Sequence, residues 1–362
     1  MQAAITYNHG FLKKLLSKKP SLFGILVIMV TIFFAIFAYI IAPDGSPNAN
    51  RIIPEIANRK PGFSIKLLRV KKQDAAVIKT GFFERLLQGT PDTYNFIPII
   101  SYTKSNDSIA AEKFVDEGIT EKVTYPFANV AAIPVIEQKF WLGTDKFGRD
   151  IASRLIIGTR VSLGVGLVAV ILSLTIGVFL GSVAGYFKGR ADDIITWLIN
   201  LIWSVPTLLL VFAVTLLLGK GFWQVFIAVG LTMWVNIARL VRGQVLAVRE
   251  LEYIEAARAL GYSNSRIIIF HILPNIMGPV MVLAAGNFAS AIVIEAGLSF
   301  LGIGVQPPQP SWGLMIKENY NFIITNNPLL ALEPGIAIML LVLAFNLVGN
   351  GLRDALNVKE KM

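Results

Sequence analysis

Six stretches of the chain carry no Asp, Glu, Lys or Arg: residues 20–42, 161–187, 194–219, 221–238, 267–294 and 334–352. A helix needs ~20 mostly apolar residues to cross the hydrocarbon of a bilayer. All but 221–238, which is marginal, reach that length. None keeps the polar face that a helix on a water-soluble domain shows. The pattern predicts an all-α polytopic membrane protein with six transmembrane helices. The first run is longer than the apolar core of a cleaved signal peptide and ends Tyr39-Ile40-Ile41-Ala42-Pro43 without a small-residue cleavage pattern, so it reads as a retained anchor.

Residues 43–139 interrupt the series. Their apolar runs are short (FSIKLLRV, AAVIKTGFFERLL, YNFIPII) and predict a small folded insert with some strand character, α+β in class. The division expected is a basic tail and first helix at 1–42, an insert at 43–139, and a five-helix core at 140–362. The insert has no His or Cys and its carboxylates are scattered, which argues against a membrane-anchored catalytic module and for a spacer or docking surface. Residues 140–163 read as an amphipathic approach to the second span. Phe140 and Trp141 suit the membrane interface, Arg149, Arg154 and Arg160 can snorkel to head groups, and Gly143 and Gly148 around Asp145 mark turns.

Composition agrees: 54% of residues are hydrophobic and only 15% charged, with a net charge of +10. There is no cysteine, hence no disulfide or thiolate metal site, and two histidines, His9 and His271, make no metal or catalytic cluster. The positive charge does not form a stripe for nucleic acid. It gathers before the first span (Lys13, Lys14, Lys18, Lys19) and around residues 239–275 (Arg239, Arg242, Arg249, Arg258, Arg266). The positive-inside rule places both on the cytoplasmic side. Six spans bring the C-terminal segment, with Arg353, Lys359 and Lys361, back to that side. The 188–193 loop is then cytoplasmic and the insert extracytoplasmic, since long loops translocate largely regardless of charge. Lys220, in the tight turn at 219–221, is the one short-loop exception.

Within the spans, Gly177, Gly181 and Gly185 recur every fourth residue, a spacing that lets a neighbouring helix approach closely. Ser204-Val205-Pro206 predicts a mid-span kink, because proline removes a backbone hydrogen bond; a wet cavity or a static bend would each tolerate it. Glu295, the one acid within its apolar stretch, sits toward the outer end of its span and faces either the interface or a translocation path. Ser204, Pro206 and Glu295 are the candidate path residues.

The segment ELEYIEAARALGYSNSRIIIFHILPN, residues 250–275, matches neither span beside it. Leu251, Ile254, Ala257 and Leu260 recur at three-residue steps, predicting a short helix with a slowly drifting apolar stripe. Glu250, Glu252, Glu255 and Arg258 lie off it. Gly261 is placed to end that helix at positive φ, and Ser263 or Asn264 can cap the next, which runs to Pro274. Small residues (Ala256, Ala257, Ala259) would let this helix enter a groove on another protein, with Glu255 and Arg258 setting its register. His271 reads as packed rather than ligating.

Glu255-Ala256-Ala257, then Gly261, then Leu273-Pro274 resembles the EAA loop of ABC importer permeases. LGTDKFGRDIASRLIIGTRVSL, SFLGIGVQPPQPSWG and FNLVGNGLRDAL are similar to the C-type permease subunit of dipeptide/oligopeptide ABC importers, over residues 141–356. The resemblance implies the type I importer permease fold in a bacterial cytoplasmic (inner) membrane. It also implies a binding-protein-dependent heteromer: a second permease, two ATPase subunits and an extracytoplasmic peptide-binding protein. Glu255, Ala256, Ala257, Arg258, Gly261, Leu273 and Pro274 would couple to the ATPases. Nickel complexes and glutathione are cargoes of near relatives, and the insert is longer than the first external loop usual there. The chain lacks a G-x-x-x-x-G-K-[ST] phosphate loop, so ATP and Mg belong to the partner ATPases and no cofactor is expected on this chain. A stand-alone secondary carrier or channel is the alternative of another class, against which stands the near absence of ionisable residues within the spans.

Overall fold

The computed structural model describes residues 13–72, 81–219, 221–324 and 327–356. His9, Lys220, Lys359, Lys361 and residues 75–80 of the second apolar run in the insert lie outside the described residues. The chain divides into two compact units. One comprises residues 1–31, 162–306 and 337–362; the other comprises 32–161 and 307–336. Three long helices are shared between them, so the division falls inside helices and not at residues 42 and 139.

The helical unit contains the apolar runs. Helix α1 (Lys19–Ile36) is followed by a short α2 (Ala38–Ile41) in the second unit. The second apolar run lies in α4 (Ile151–Phe187), a single helix of 37 residues. At 1.5 Å per residue it is about 55 Å long, far more than the ~30 Å hydrocarbon requires. The approach expected at 140–163 is therefore in large part the N-terminal end of the span helix itself. The 188–193 loop is likewise helical: only Lys188 and Gly189, both at positive φ, interrupt the chain before α5 (Gly189–Trp203).

The third apolar run is broken, not kinked. Helices α5 and α6 (Thr207–Leu218) meet at 94° across Ser204-Val205-Pro206. At 15 and 12 residues they are about 22 and 18 Å long, and neither crosses a bilayer alone. The residue before a proline avoids the α region, and the chain turns through about a right angle there before α6 restarts with Leu210 N–H bonded to the Pro206 carbonyl at 3.1 Å. Arg239 braces the bend, its guanidinium 3.5 Å from the Trp203 ring centre and 3.3 Å from Asn200 Oδ1. Among the described residues, five continuous helices are long and apolar enough to span, and the bent pair makes up to six.

The marginal run 221–238 belongs to α7 (Phe222–Val248), 27 residues long. It is the central helix: 67% of its apolar window is buried, against 11–28% in the other four. Its neighbours include α4, whose Gly177, Gly181 and Gly185 lie directly on it. A Cβ at each would fall 2.7–2.8 Å from the Cβ of Ile237, Val241 or Val245 respectively, too close for any side chain. After α7 come α8 (Glu252–Ala259), α9 (Asn264–Ile267), a π-turn (Ile268–Ile272) and α10 (Leu273–Phe300). The π-turn has a cause: Pro274 offers no N–H to the preceding turn, and Leu273 N–H instead reaches back five residues to the Ile268 carbonyl. The last helix, α12 (Leu329–Leu356), packs its C-terminal half on α1: Gly24 lies against Ala344 and Gly351 against Ser21.

The second unit holds a five-stranded antiparallel sheet of order β4-β3-β2-β1-β5. Its strands are β1 (Phe63–Lys71), β2 (Tyr94–Lys104), β3 (Ser108–Asp116), β4 (Ile119–Pro126) and β5 (Val130–Phe140), with α3 (Phe82–Gln88) between β1 and β2. The strand character expected of the insert is thus most of its structure. Register is set by alternation and by opposite charges across strands, Glu112 facing Lys122 and Lys113 facing Glu121. One face buries Leu68, Val70, Ile99 and Ile109; the other closes Leu67 and Phe140 over Ile53 and Ile56. Phe140 therefore belongs to the core and not to the membrane interface.

Two of the arginines expected to snorkel are instead buried in this unit. Arg149 and Arg154 converge on Glu318 of α11 (Trp312–Asn319), with Nη2–Oε2 distances of 2.8 and 2.9 Å, and Arg149 Nε also bonds Asp145 at 2.6 Å. A guanidinium paired with carboxylates at hydrogen-bond distance can be held away from water. Arg160 donates to the Leu86 and Leu87 carbonyls. Gly143 and Gly148 do make turns, both at positive φ, around Asp145. Asp150, one residue before α4, is pushed up to about 6, chiefly by burial and further by the neighbouring Asp44, against the lowering effect of its Ser153 hydrogen bonds and Arg51.

Candidate functional site

The 250–275 segment forms the helix–turn–helix that its sequence predicts, with a fully formed C-cap. Gly261, at φ +75°, donates to the Arg258 carbonyl at 2.9 Å, and Tyr262 N–H reaches the Ala257 carbonyl at 3.2 Å. These are the two bonds of a Schellman motif. Ser263 occupies the N-cap position of the next helix with extended backbone, but its side chain makes no capping bond.

The short helix α8 rests on the bundle by a narrow contact. Only Ile254 and Ala257 of its residues are buried, in a cluster with Val241, Val245, Ile267 and Ile272. Leu251 and Leu260, expected on the same stripe, are exposed, Leu260 at 72%. Residues three apart are 300° apart on a helix, so a three-step stripe turns away within two steps. Ala257, expected to face a partner, faces inward instead. Glu255, Ala256 and Arg258 remain exposed, joined by Tyr253, Leu260, Ile269 and Phe270 as a mixed apolar and charged surface. The last four were missed in the sequence because the periodicity argument assigned apolar residues to the core.

Aromatic and charged contacts hold this surface in place. Tyr186 at the end of α4 donates its hydroxyl to Asn264 Oδ1 at 2.9 Å, and Arg249 donates to the Tyr186 carbonyl. His271 stacks on Tyr262, ring centres 5.8 Å apart, which is the packed role expected of it. Tyr262, Arg266, Phe270 and His271 edge a groove beside the turn. Leu273 is half-buried and Pro274 exposed, lying past the π-turn where the segment enters α10.

Behind the turn lies a cavity of about 730 Å³ between α7, α10 and α12. Asn275, Asn346, Asn350 and Arg353 give it a polar wall, and Pro274, Gly278 and Pro279 a small-residue one. Asn275 links cavity and turn: its Nδ2 donates to the Tyr253 hydroxyl of α8 at 3.1 Å. A second cavity of about 220 Å³ opens at the broken run, lined by Trp203, Thr207, Thr232, Asn236, Asn287 and Ser290 among others. The polar residues of α7 and α10 were unmarked in the sequence, since uncharged amides and hydroxyls leave a run apolar on average.

The three candidate path residues are not brought together. Ser204 and Pro206 are exposed at the bend, the Ser204 hydroxyl donating to the Leu201 carbonyl at 2.7 Å. Glu295 is fully buried and accepts from the Ser299 hydroxyl at 2.7 Å. Ser299 Oγ in turn accepts Val305 N–H at 3.0 Å, so this carboxylate anchors the turn that ends α10. The described residues contain no cluster of His, Cys, Asp or Glu that could hold a metal.

A profile of the family described as "Binding-protein-dependent transport system inner membrane component" matches residues 177–361, about half of the chain and including the whole helix–turn–helix. The chain belongs to this family. It is thus a permease of the ABC importer kind and an integral membrane protein. Among curated relatives, the glutathione transport system permease protein GsiD of Pectobacterium atrosepticum is 43% identical over 221 residues, 61% of this chain and 73% of the relative. The dipeptide transport system permease protein DppC of Alkalihalophilus pseudofirmus is 44% identical, covering 61% and 72%. Among solved structures, an inward-facing form of the MetNI methionine ABC transporter matches 56% of this chain and 95% of that chain, with 20% identity and a TM-score of 0.45.

Proposed function

We propose that this permease is one membrane subunit of a heteromeric importer of dipeptides or oligopeptides in a bacterial cytoplasmic membrane, driven by ATPase subunits that dock on α8. The observation that carries the reading is the helix at Glu252–Ala259. It is closed by a complete cap, buries two of its side chains, Ile254 and Ala257, in its own bundle, and leaves the others exposed. A helix so lightly held needs a partner to be worth its ordering entropy.

The membrane topology supports the same account. Lys18 before α1 pairs with Asp354 near the end of α12 at 2.5 Å, so the first span begins where the last one ends. A chain whose ends share a side crosses an even number of times. Five continuous helices therefore need one more crossing, and the bent pair α5–α6 supplies it, for six. Lysines 13, 14, 18 and 19 and Arg353 then put both ends in the cytoplasm. The sheet lies outside, toward an extracytoplasmic binding protein.

In this mechanism Glu255, Ala256 and Arg258 meet the ATPase groove, Gly261 keeps the helix at a fixed angle, and Leu273-Pro274 passes its movement into α10. Asn275, bonded to Tyr253, carries the shift to the wall of the large cavity. Ala257 acts from the inner side, as the seat of the helix. ATP and Mg stay with two ATPase subunits, and a second permease completes the path. The names of the relatives support peptide cargo, with glutathione, itself a short peptide, as the second reading and nickel complexes as a more remote one.

The test is affinity purification of the tagged chain from its native membrane in mild detergent, with identification of co-purifying proteins and an ATPase assay of the eluate. A second permease and ATPase subunits with vanadate-sensitive activity are expected. A chain that arrives alone and inert points instead to a stand-alone carrier or channel.

A further inference from the structure

Helix α3 (Phe82–Gln88) has an apolar side that the protein does not cover. At 100° per residue, Phe82, Leu86, Phe83 and Leu87 fall within an arc of about 140°, and Glu84, Arg85 and Gln88 share the opposite side. Leu86 is half-buried, while Phe82, Phe83 and Leu87 are among the exposed apolar residues, Phe83 at 76%. An unpacked seven-residue helix of this kind is not stable by itself in water.

Its C-terminal end is nevertheless clamped twice. Arg160 Nη1 donates to the Leu86 and Leu87 carbonyls at 3.4 and 3.2 Å. Thr90 donates from N and Oγ1 to the Gly45 carbonyl at 2.8 and 3.1 Å. Gly89 lies so close to Gly45 and Tyr39 that a Cβ would fall 2.6 Å from the Gly45 carbonyl. The guanidinium of Arg160 also lies 4.8 Å from the centre of the Tyr39 ring.

These clamps fix the height of α3 relative to a bilayer. Arg160 is the last charged residue before the uncharged run 161–187, and Tyr39 is in the last turn of the run 20–42. Tyrosine and arginine at run ends mark the boundary between hydrocarbon and head groups. The carbonyls of α3 are bonded at that level, and its uncovered apolar arc carries two phenylalanines and a leucine, the composition of helices that lie in the membrane plane.

We propose that α3 is an interfacial anchor that inserts Phe82, Phe83 and Leu87 at the boundary of head groups and acyl chains, holding the sheet-bearing insert to the lipid surface. The proposal rests on the reading that 20–42 and 161–187 cross the bilayer.

The chain contains no cysteine, so Phe83→Cys, Leu87→Cys and Glu84→Cys each carry a single nitroxide label on it. The labelled chain, with its co-purified partners, is reconstituted in lipid nanodiscs, and power saturation with oxygen and with Ni-EDDA is compared at each site. The unsubstituted complex supplies the background, and Leu167→Cys, exposed on α4 within the run 161–187, the lipid control. Oxygen should dominate at 83, 87 and 167, and Ni-EDDA should dominate at 84. Labels at 83 and 87 that are as open to Ni-EDDA as 84 would mean a helix in water; labels shielded from both reagents would mean a protein partner covers it. Either result overturns the anchor. An aqueous label at 167 would instead remove the span on which it rests, and the proposal with it.

Discussion

Gly261 allows the role of α8 to be tested through backbone conformation alone. Its φ is +75°, and a Cβ built there meets nothing within 4 Å. A side chain at this position would therefore clash with no neighbour, and its cost is that of a left-handed residue, ~1–2 kcal/mol for most L residues and least for Asn. The alternative is to abandon the turn. That gives up the bonds from Gly261 to Arg258 and from Tyr262 to Ala257, each worth a net ~0.5–1.5 kcal/mol. The two costs are comparable, so Gly261→Val should divide between a strained turn and an undocked helix. A loss of ~1–2 kcal/mol corresponds to a factor of roughly 5–30 in population. Substrate-stimulated ATPase activity of the assembled transporter in proteoliposomes should fall by about that factor for Gly261→Val. Gly261→Asn should stay within roughly threefold of the parent, and both variants should insert normally. Parental coupling by the valine variant, or equal failure of the asparagine variant, would refute the argument from φ.

Other outcomes follow from the packing and the buried charges. Glu318→Gln leaves Arg149 and Arg154 paired with Asp145 but without the Glu318 carboxylate, which should lower stability by ~1.5–3 kcal/mol and be seen as a drop in melting temperature of the purified complex. Gly181→Val drives a side chain into Val241 and the Ala238 carbonyl and should cost ~1–3 kcal/mol. Gly243→Ala, on α7 with nothing within 4 Å of its Cβ, should be neutral or slightly stabilising in the same melt. The carboxyl of Asp150 is raised from 3.8 to about 6, so the folded state binds the proton more tightly than the unfolded one. Stability should then fall as pH rises from about 4 to 6, by up to ~3 kcal/mol, and hydrogen-exchange protection at the start of α4, corrected for the intrinsic exchange rate, should rise on acidification from pH 7 to 5. Asp150→Asn should flatten that dependence.

Where the local signal was strong, the sequence was enough. The uncharged runs predicted the spans because a bilayer rewards length and apolarity without regard to rotation. Gly261 was recognisable as a helix terminator because only its residue type accepts φ +75° cheaply. The small-residue spacing of Gly177, Gly181 and Gly185 showed that a helix would come close. The family resemblance of 255–274 was likewise legible in the sequence, since the residues that carry it lie in one contiguous segment.

Tertiary structure decided everything that depended on where a residue faces. It turned Arg149 and Arg154 from head-group ligands into buried partners of Glu318, 164 residues beyond Arg154, a pairing that no local pattern encodes. It sent Ala257 inward and left Leu251 and Leu260 outside, because a three-residue step drifts around the helix. It made the proline of the third run a 94° break, against which Arg239, from a separate helix, packs on Trp203. It also gathered Asn236, Asn287 and Ser290 into one cavity wall, although each sits in a run that reads as plain lipid-facing helix. A sequence carries hydrophobicity and local backbone preference along the chain; burial, pairing and cavity lining are properties of segments brought together from far apart, and only the folded chain brings them together.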